Sequence, residues 1–418
     1  MVDKDELTVV RETMLSPELS GNEISWPNRA KVIEVVRELE ELPPLVEVSE
    51  VMELQRSLAL VAEGRAVVLQ AGDCAETFDN NSRQQVTSQI TLLRRLSATL
   101  QTGSGRKVVT IARIAGQYFK PRSQAMEPGP EGERIYTYRG DAINSRVATR
   151  RARTPDPERL LRAYWESVLT HEFLGELRDP ENETYPLYVG HEALSLTYER
   201  SMSRFYEVTQ RTHCLSAHLV WIGMRTSSPR SAHIRWAASV EGPIGVKIGP
   251  HVSARELVQL VECLDPDRVP GRLTCIVRMG AHVVEQRLPD LISTVHESGW
   301  RPVWICDPMH GNTVAGPAMR KTRKIDDIAA EIEGFLQVHC ALGTHAGGLH
   351  LEVTGAEVTE CVGGNRGRVS EANLAERYLT ACDPRLNGEQ ALELLDEYSS
   401  SFGGTDDLAD LTTMTKDR

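Results

Sequence analysis

Short apolar runs recur along the chain from residue 66 onward, many of them closed by a glycine. They are AVVLQAG (66–72), KVVTIARIAG (107–116), PLYVG (186–190), SAHLVWIG (216–223), PIGVKIG (243–249), LTCIVRMG (273–280), RPVWICDP (301–308) and GLHLEVTG (348–355). Between them lie stretches with amphipathic helical spacing, such as SRQQVTSQITLLRRLSATL, SARELVQLVECL and EQRLPDLISTVHES. Strands apolar throughout, alternating with helices, predict parallel βαβ units covered on both faces. Eight such strands are what a closed barrel requires, so the predicted fold is α/β, a (β/α)8 TIM barrel. A doubly wound open sheet competes with it, but no GxGxxG follows the first strand.

Residues 1–60 carry short helical patterns such as RAKVIEVVRELEEL, interrupted at Pro43-Pro44. They are expected to form an N-terminal helical extension that packs on the barrel or on a partner subunit. The barrel itself is assigned to 61–400. Within it the segment of about 124–185 is the least barrel-like, running from EPGPEGERIYTYRGD through PDPERLLRAYWESVLTHEFLGEL to RDPENETYP. It is read as a loop and helix inserted after strand two, and long loops of this kind are usually functional. Residues 401–418 form a tail expected to be partly disordered.

Composition narrows the ligands. The 418 residues carry a net charge of −12 and only 5% aromatic side chains, which excludes a base-stacking nucleic-acid binder. An anionic ligand would require cations gathered locally against that average. No apolar stretch approaches the length of a membrane span, and MVDKDELTVVRE lacks the apolar core of a signal peptide. The eight cysteines show no CxxC pairs and read as reduced thiols, so a cytoplasmic location is expected.

In barrel enzymes the chemistry gathers at the C-terminal ends of the strands. Those ends present Cys74; Arg113 and Lys120; His191 and Glu192; Arg225; Lys247; Arg278; Asp307 and His310; and Glu352. Two chemistries separate. Arg113, Lys120, Arg122, Arg225, Lys247 and Arg278 form a cationic set suited to more than one phosphate or carboxylate. Cys74, His310 and Glu352, with Asp383 beyond strand eight, mix thiolate, imidazole and carboxylate, which suits Mn, Co, Fe or Zn. A lone strand cysteine is more often core, and the metal reading draws its weight from three of the four falling on rims. A metal beside an anion pocket suggests Lewis-acid polarisation of a carbonyl in a phosphorylated substrate. Trp221, Trp236 and Trp304 read as core. His339, His345 and His350 read as packing residues, with His345 in the GTHAGG turn expected nearest to a phosphate.

The strings QAGDCAETF, RIAGQYFKPRS, HEALSLTYER, GVKIGP, CDPMHGNT, ALGTHAGGLHLEVTG, TECVGG and ACDPRLN stand in unbroken order from about residue 50 to about 395. Together they resemble class II 3-deoxy-D-arabino-heptulosonate 7-phosphate (DAHP) synthase. The resemblance implies a decorated barrel that condenses phosphoenolpyruvate with erythrose 4-phosphate and water, giving DAHP and phosphate in the first step of the shikimate pathway. It implies that Cys74, His310, Glu352 and Asp383 hold a divalent ion, Mn or Co, with Zn or Fe as alternatives. Arg113, Arg225, Lys247 and Arg278, with the backbone of Met224, would hold phosphoenolpyruvate. Lys120, Arg122 and Ser123 would serve erythrose 4-phosphate, and Lys120, Glu192 and His310 would act in the chemistry. A homodimer or higher homo-oligomer is implied, as is a complex with a chorismate-using enzyme.

Two departures from the family pattern stand out. The fourth-strand string, usually WIGERT, reads WIGMRT here, with Met224 in place of glutamate. That change alone favours a second reading, the same chemistry on an amino or chain-altered sugar phosphate. A catalytically silent partner protein, the third reading, predicts a lost metal ligand, and all four are present. The other departure is a shortening. Only residues 165–190 separate Tyr164 from His191, too few for one helix plus the helical pair of feedback-regulated relatives. The short form resembles the subgroup found with phenazine and antibiotic pathways, which implies insensitivity to aromatic amino acids.

Overall fold

The computed structural model describes residues 24–122, 124–177 and 186–403. Its centre is a closed barrel of eight parallel strands in sequential order, with the eighth returning to the first. The strands are β1 (Ala66–Gly72), β2 (Lys107–Arg113), β3 (Leu187–Glu192), β4 (Leu219–Ile222), β5 (Ile244–Ile248), β6 (Leu273–Val277), β7 (Val303–Cys306) and β8 (Gly348–Glu352). All eight predicted runs coincide with them. Strands β4 to β7 are buried along their whole length, the pattern of a sheet covered on one side by helices and filled on the other.

The outer helices begin where the sequence supplies caps. Ser82 opens α3 (Arg83–Ser104) with a capping box to Gln85, and Gly105 closes it in the left-handed conformation at φ 66°. Here α1 and α2 denote Arg29–Glu41 and Val48–Ala62, α4 is Glu158–Leu177, and α5 is Leu196–Ser201. Four more follow in chain order: α6 (Ala232–Ser239), α7 (Ala254–Leu264), α8 (Val284–Glu297) and α9 (Ile325–Leu342); α10 (Gly388–Tyr398) is the last α-helix among the described residues. Ser253 with Glu256 and Asn387 with Gln390 repeat the capping box on α7 and α10.

Helix α2 has a task that its periodicity does not announce. Leu54, Leu58 and Val61 pack with Val68, Val109, Ile111, Tyr188 and Leu219 of the barrel interior. The helix therefore closes the N-terminal mouth. Each of those side chains contributes about 1.5–3 kcal/mol by burial. The boundary expected at residue 60 falls inside α2, so extension and barrel share one core there. Val35 and Leu39 of α1 join Tyr118, Phe119, Leu160 and Tyr164 in a second core beneath the insertion.

The segment after β2 holds an antiparallel hairpin (126–128 with 134–136), a one-turn helix (Arg150–Arg153) and α4. The expectation for the tail falls largely on residues outside the described range. All eight cysteines are free thiols. Among the described residues, no helix is long and apolar enough to cross a membrane.

Candidate active site

At the C-terminal mouth of the barrel lies a cavity of about 320 Å³. Every strand delivers a side chain to it: Cys74 after β1, Arg113 from β2, Glu192 from β3, Met224 and Arg225 after β4, Lys247 from β5, Arg278 after β6, His310 after β7 and Glu352 from β8. Lys120, Arg122 and Asp383 complete the set of expected residues that line it, while Ser123 lies outside the described residues. Gln117, Thr313, Lys321 and Cys382, which the sequence did not single out, line it as well. Adjacent strand residues face opposite ways. His191 therefore turns from the cavity into a buried network, its Nε2 2.9 Å from Glu199 Oε1.

Arg113 and Glu352 meet because both are in register with Gly72. A Cβ there would sit 2.7 Å from the Arg113 carbonyl oxygen, so only glycine lets the strand ends close. The Arg113 guanidinium donates through Nη2 to Glu352 Oε1 at 3.1 Å and through Nη1 to His350 Nε2 at 2.8 Å. Since His350 Nε2 accepts, Nδ1 carries the proton and donates to Gln70 Oε1 at 2.8 Å. Burial, with Lys247 and Arg113 alongside, keeps this imidazole neutral, well below its usual range.

Two carboxylates anchor the network. Burial would raise Asp307, but His310 and Lys247 outweigh it and hold the carboxyl well below the usual range. Its Oδ2 is 3.0 Å from Lys247 Nζ and 2.8 Å from His310 Nδ1. Glu352 likewise resists burial through His310, Arg323 and Arg113. Its Oε2 lies 2.7 Å from Arg323 Nη1, and its Oε1 lies 3.2 Å from His310 Nε2. Charge is thus fixed before any ligand arrives.

The donor chemistry fits a borderline divalent ion. Cys74 Sγ accepts the Asp383 backbone N–H at 3.1 Å, His310 Nε2 lies 3.2 Å from Glu352 Oε1, and all four expected ligands line one cavity. Burial and the neighbouring Cys382, Glu352 and Asp383 keep the Cys74 thiol protonated here, and metal binding would have to expel that proton. A different trio, Asp307, His310 and His350, has ligand atoms within 4.8 Å of one another. Asp307 is engaged by Lys247 and His310 Nδ1, and His350 by Arg113 and Gln70. We therefore read that trio as support that orients His310, in the usual carboxylate–histidine arrangement. Both sets share His310.

Three glutamates secure the loops that carry these residues. Glu76 accepts the N–H groups of Ala115, Gly116 and Gln117 at 3.1, 3.0 and 2.8 Å. Buried Glu360 accepts those of Leu379, Thr380 and Arg385 at 3.0, 2.8 and 2.8 Å. Glu331 does the same below Arg278. None was singled out from the sequence. His350 had a signal: it lies two residues before Glu352 on β8 and so shares its face. Arg323 and Glu331 offered none. The expectation that His345 approaches a phosphate is overturned. Its Nε2 is 3.1 Å from the Ala66 carbonyl, at the start of β1 and the opposite end of the barrel.

A profile described as the Class-II DAHP synthetase family matches residues 16–180 and 174–397. A protein of Streptomyces coelicolor named phospho-2-dehydro-3-deoxyheptonate aldolase is 41% identical over 416 residues, covering 88% of this chain and 92% of its own. Phospho-2-dehydro-3-deoxyheptonate aldolase AroG of Mycolicibacterium smegmatis is 40% identical over 423 residues, covering 88% and 90%. The chain belongs to the Class-II DAHP synthetase family.

Proposed function

We propose that this family member is a 3-deoxy-7-phosphoheptulonate synthase, a transferase that joins phosphoenolpyruvate, erythrose 4-phosphate and water into DAHP and inorganic phosphate. The observation that carries the reading is the delivery of charged or ligating side chains from all eight strands into one cavity. Both substrates are anions that would repel each other in water. Arg113, Lys120, Arg122, Arg225, Lys247 and Arg278 gather there in a chain of net charge −12.

Arg113, Arg225, Lys247 and Arg278, with the Met224 backbone, hold the phosphate and carboxylate of phosphoenolpyruvate. Lys120, Arg122 and Ser123 hold the phosphate of the aldose. C-3 of phosphoenolpyruvate then bonds to the aldehyde carbon, and the aldehyde oxygen takes a proton from Lys120 Nζ. Positive charge develops at C-2, where water adds while Glu192 removes its proton. The phosphohemiketal breaks its C–O bond and releases phosphate. Proximity of the two anions and fixed cations around the developing charge supply the acceleration. A divalent ion held by Cys74, His310, Glu352 and Asp383, Mn or Co in this reading, supplies Lewis-acid polarisation of the aldehyde carbonyl. Phosphate release from the two substrates by metal-loaded protein is the expected result, and its absence would overturn the proposal.

The Met224 change supports a second reading, an altered aldehyde. Its Sδ lies 3.2 Å from Arg278 Nη1 and is a weak acceptor, so the guanidinium keeps its charge for substrate. On the main reading, Met224→Glu changes efficiency with erythrose 4-phosphate by less than about threefold, a fraction of a kcal/mol. A large gain would favour the altered aldehyde, which a panel of sugar phosphates would then identify.

Feedback insensitivity and a role in secondary metabolism, as in phenazine or antibiotic pathways, belong to the same proposal. The family match breaks at 174–180, where α4 ends, and β3 begins at Leu187. The alignment with the Streptomyces coelicolor relative runs over 416 positions, whereas 88% of 418 residues is about 368. Roughly 48 aligned positions therefore lack a counterpart here. Micromolar Phe, Tyr and Trp should leave the rate unchanged; inhibition by any of them would refute insensitivity. A homo-oligomer is the expected state, to be checked by light scattering.

A further inference from the structure

Helix α9 packs outside the barrel, yet it sends one carboxylate to the rim. Glu331 is fully buried. Its Oε1 accepts the N–H of Met279 at 2.7 Å and of Gly280 at 2.8 Å, and its Oε2 accepts from Asn312 Nδ2 at 2.8 Å. Met279 and Gly280 directly follow Arg278 on the loop after β6. Asn312 follows His310 by two residues on the loop after β7. Asn312 Oδ1 also accepts the Ala281 N–H at 3.1 Å, a second tie between the loops. The loops nearly touch, because a Cβ on Gly311 would lie 2.3 Å from the Gly280 nitrogen. Across that contact Arg278 Nη2 donates to the His310 carbonyl at 2.7 Å.

Packing alone would be poor grounds for a carboxylate here. Burial pushes Glu331 up to about 7 even against its donors, and a well-packed apolar side chain at such a position is often neutral or stabilising. What the geometry requires is an acceptor at each of two oxygens, facing donors from two different loops. Glutamine provides an acceptor at only one.

We propose that Glu331 is a positioning residue that fixes Arg278 relative to His310 and thereby sets the affinity for phosphoenolpyruvate. The inference rests on the reading above, which assigns Arg278 to that substrate. Glu331 touches neither substrate and acts through the two loops.

Steady-state kinetics on the metal-loaded full chain test it. Glu331→Gln is expected to raise KM for phosphoenolpyruvate at least about tenfold, equivalent to about 1.4 kcal/mol, and to leave KM for erythrose 4-phosphate within twofold. Glu331→Asp, which keeps both acceptors, should recover part of the loss. In an Arg278→Ala background, Glu331→Gln should add less than twofold. An unchanged KM for phosphoenolpyruvate, an equal rise in both KM values, or additivity with Arg278→Ala would overturn the proposal. Should the glutamine variant not fold, Asn312→Ala decides, since it removes the contact of Glu331 with the loop after β7, together with the Ala281 tie, and leaves the contacts of Glu331 with Met279 and Gly280. A selective rise in KM for phosphoenolpyruvate supports positioning, and no rise refutes it. Failure of the functional reading is distinct: wild-type protein would then release no phosphate from the two substrates.

Discussion

Replacing Arg113 with methionine is expected to lower kcat/KM for phosphoenolpyruvate at least about a thousandfold, about 4 kcal/mol of transition-state stabilisation. The side chain is 2% exposed, and its guanidinium serves His350 and Glu352 and, in the proposed function, the substrate as well. It also lies over the Trp221 ring at 5.5 Å, which favours a planar cation. Methionine keeps much of the bulk and removes every donor. Glu352, itself buried, then loses one of its cationic partners, and breaking a buried pair from one side costs about 3–5 kcal/mol. Lysine is a weak substitute, because a point charge cannot reproduce a two-armed fork. Arg113→Lys should regain less than about tenfold of the loss. Kinetics with a thermal unfolding curve for each variant provide the check. A folded methionine variant within tenfold of wild type would remove Arg113 from the proposed site.

Stripping divalent ions with EDTA is expected to reduce phosphate release to background, with Mn²⁺ or Co²⁺ restoring it. The more informative measurement is bound metal per chain, by equilibrium dialysis, because it discriminates between the two ligand sets. With Cys74, His310, Glu352 and Asp383 as ligands, Cys74→Ser should lose stoichiometric metal, since a hydroxyl is a far poorer donor than a thiolate to these ions. His350→Gln should retain it. The opposite pair of outcomes would transfer the ion to Asp307, His310 and His350. Retention by both variants would count against either set as the tight site.

The strands were legible because parallel barrel strands are buried on both faces and appear as unbroken apolar runs. The rim was legible for a related reason: residues that follow such a run are placed at one end by the fold itself. Cys74, Arg225 and Arg278 needed no knowledge of their neighbours to be located. The errors share one cause. His345 lies in a conspicuous turn, but that turn precedes β8 instead of following it, and the barrel's polarity sends it to the far end. Helix α2 has ordinary amphipathic spacing, and nothing in a period of 3.6 states that its apolar face closes a barrel mouth. Glu331, Arg323 and Glu360 were missed because their partners are backbone groups or charges from remote loops. Such pairings exist only once the chain has closed.

The three glutamates also bear on how such a barrel can change. A rim loop in this protein is half of a pair whose other half is inherited separately. A graft replacing 115–120 without regard to Glu76, or 278–281 without regard to Glu331, would face a fixed carboxylate with donors in new places. Loop exchange between relatives should therefore succeed when loop and carboxylate move together. Directed evolution of new aldehyde specificity would do better to vary side chains on these loops than to vary their length.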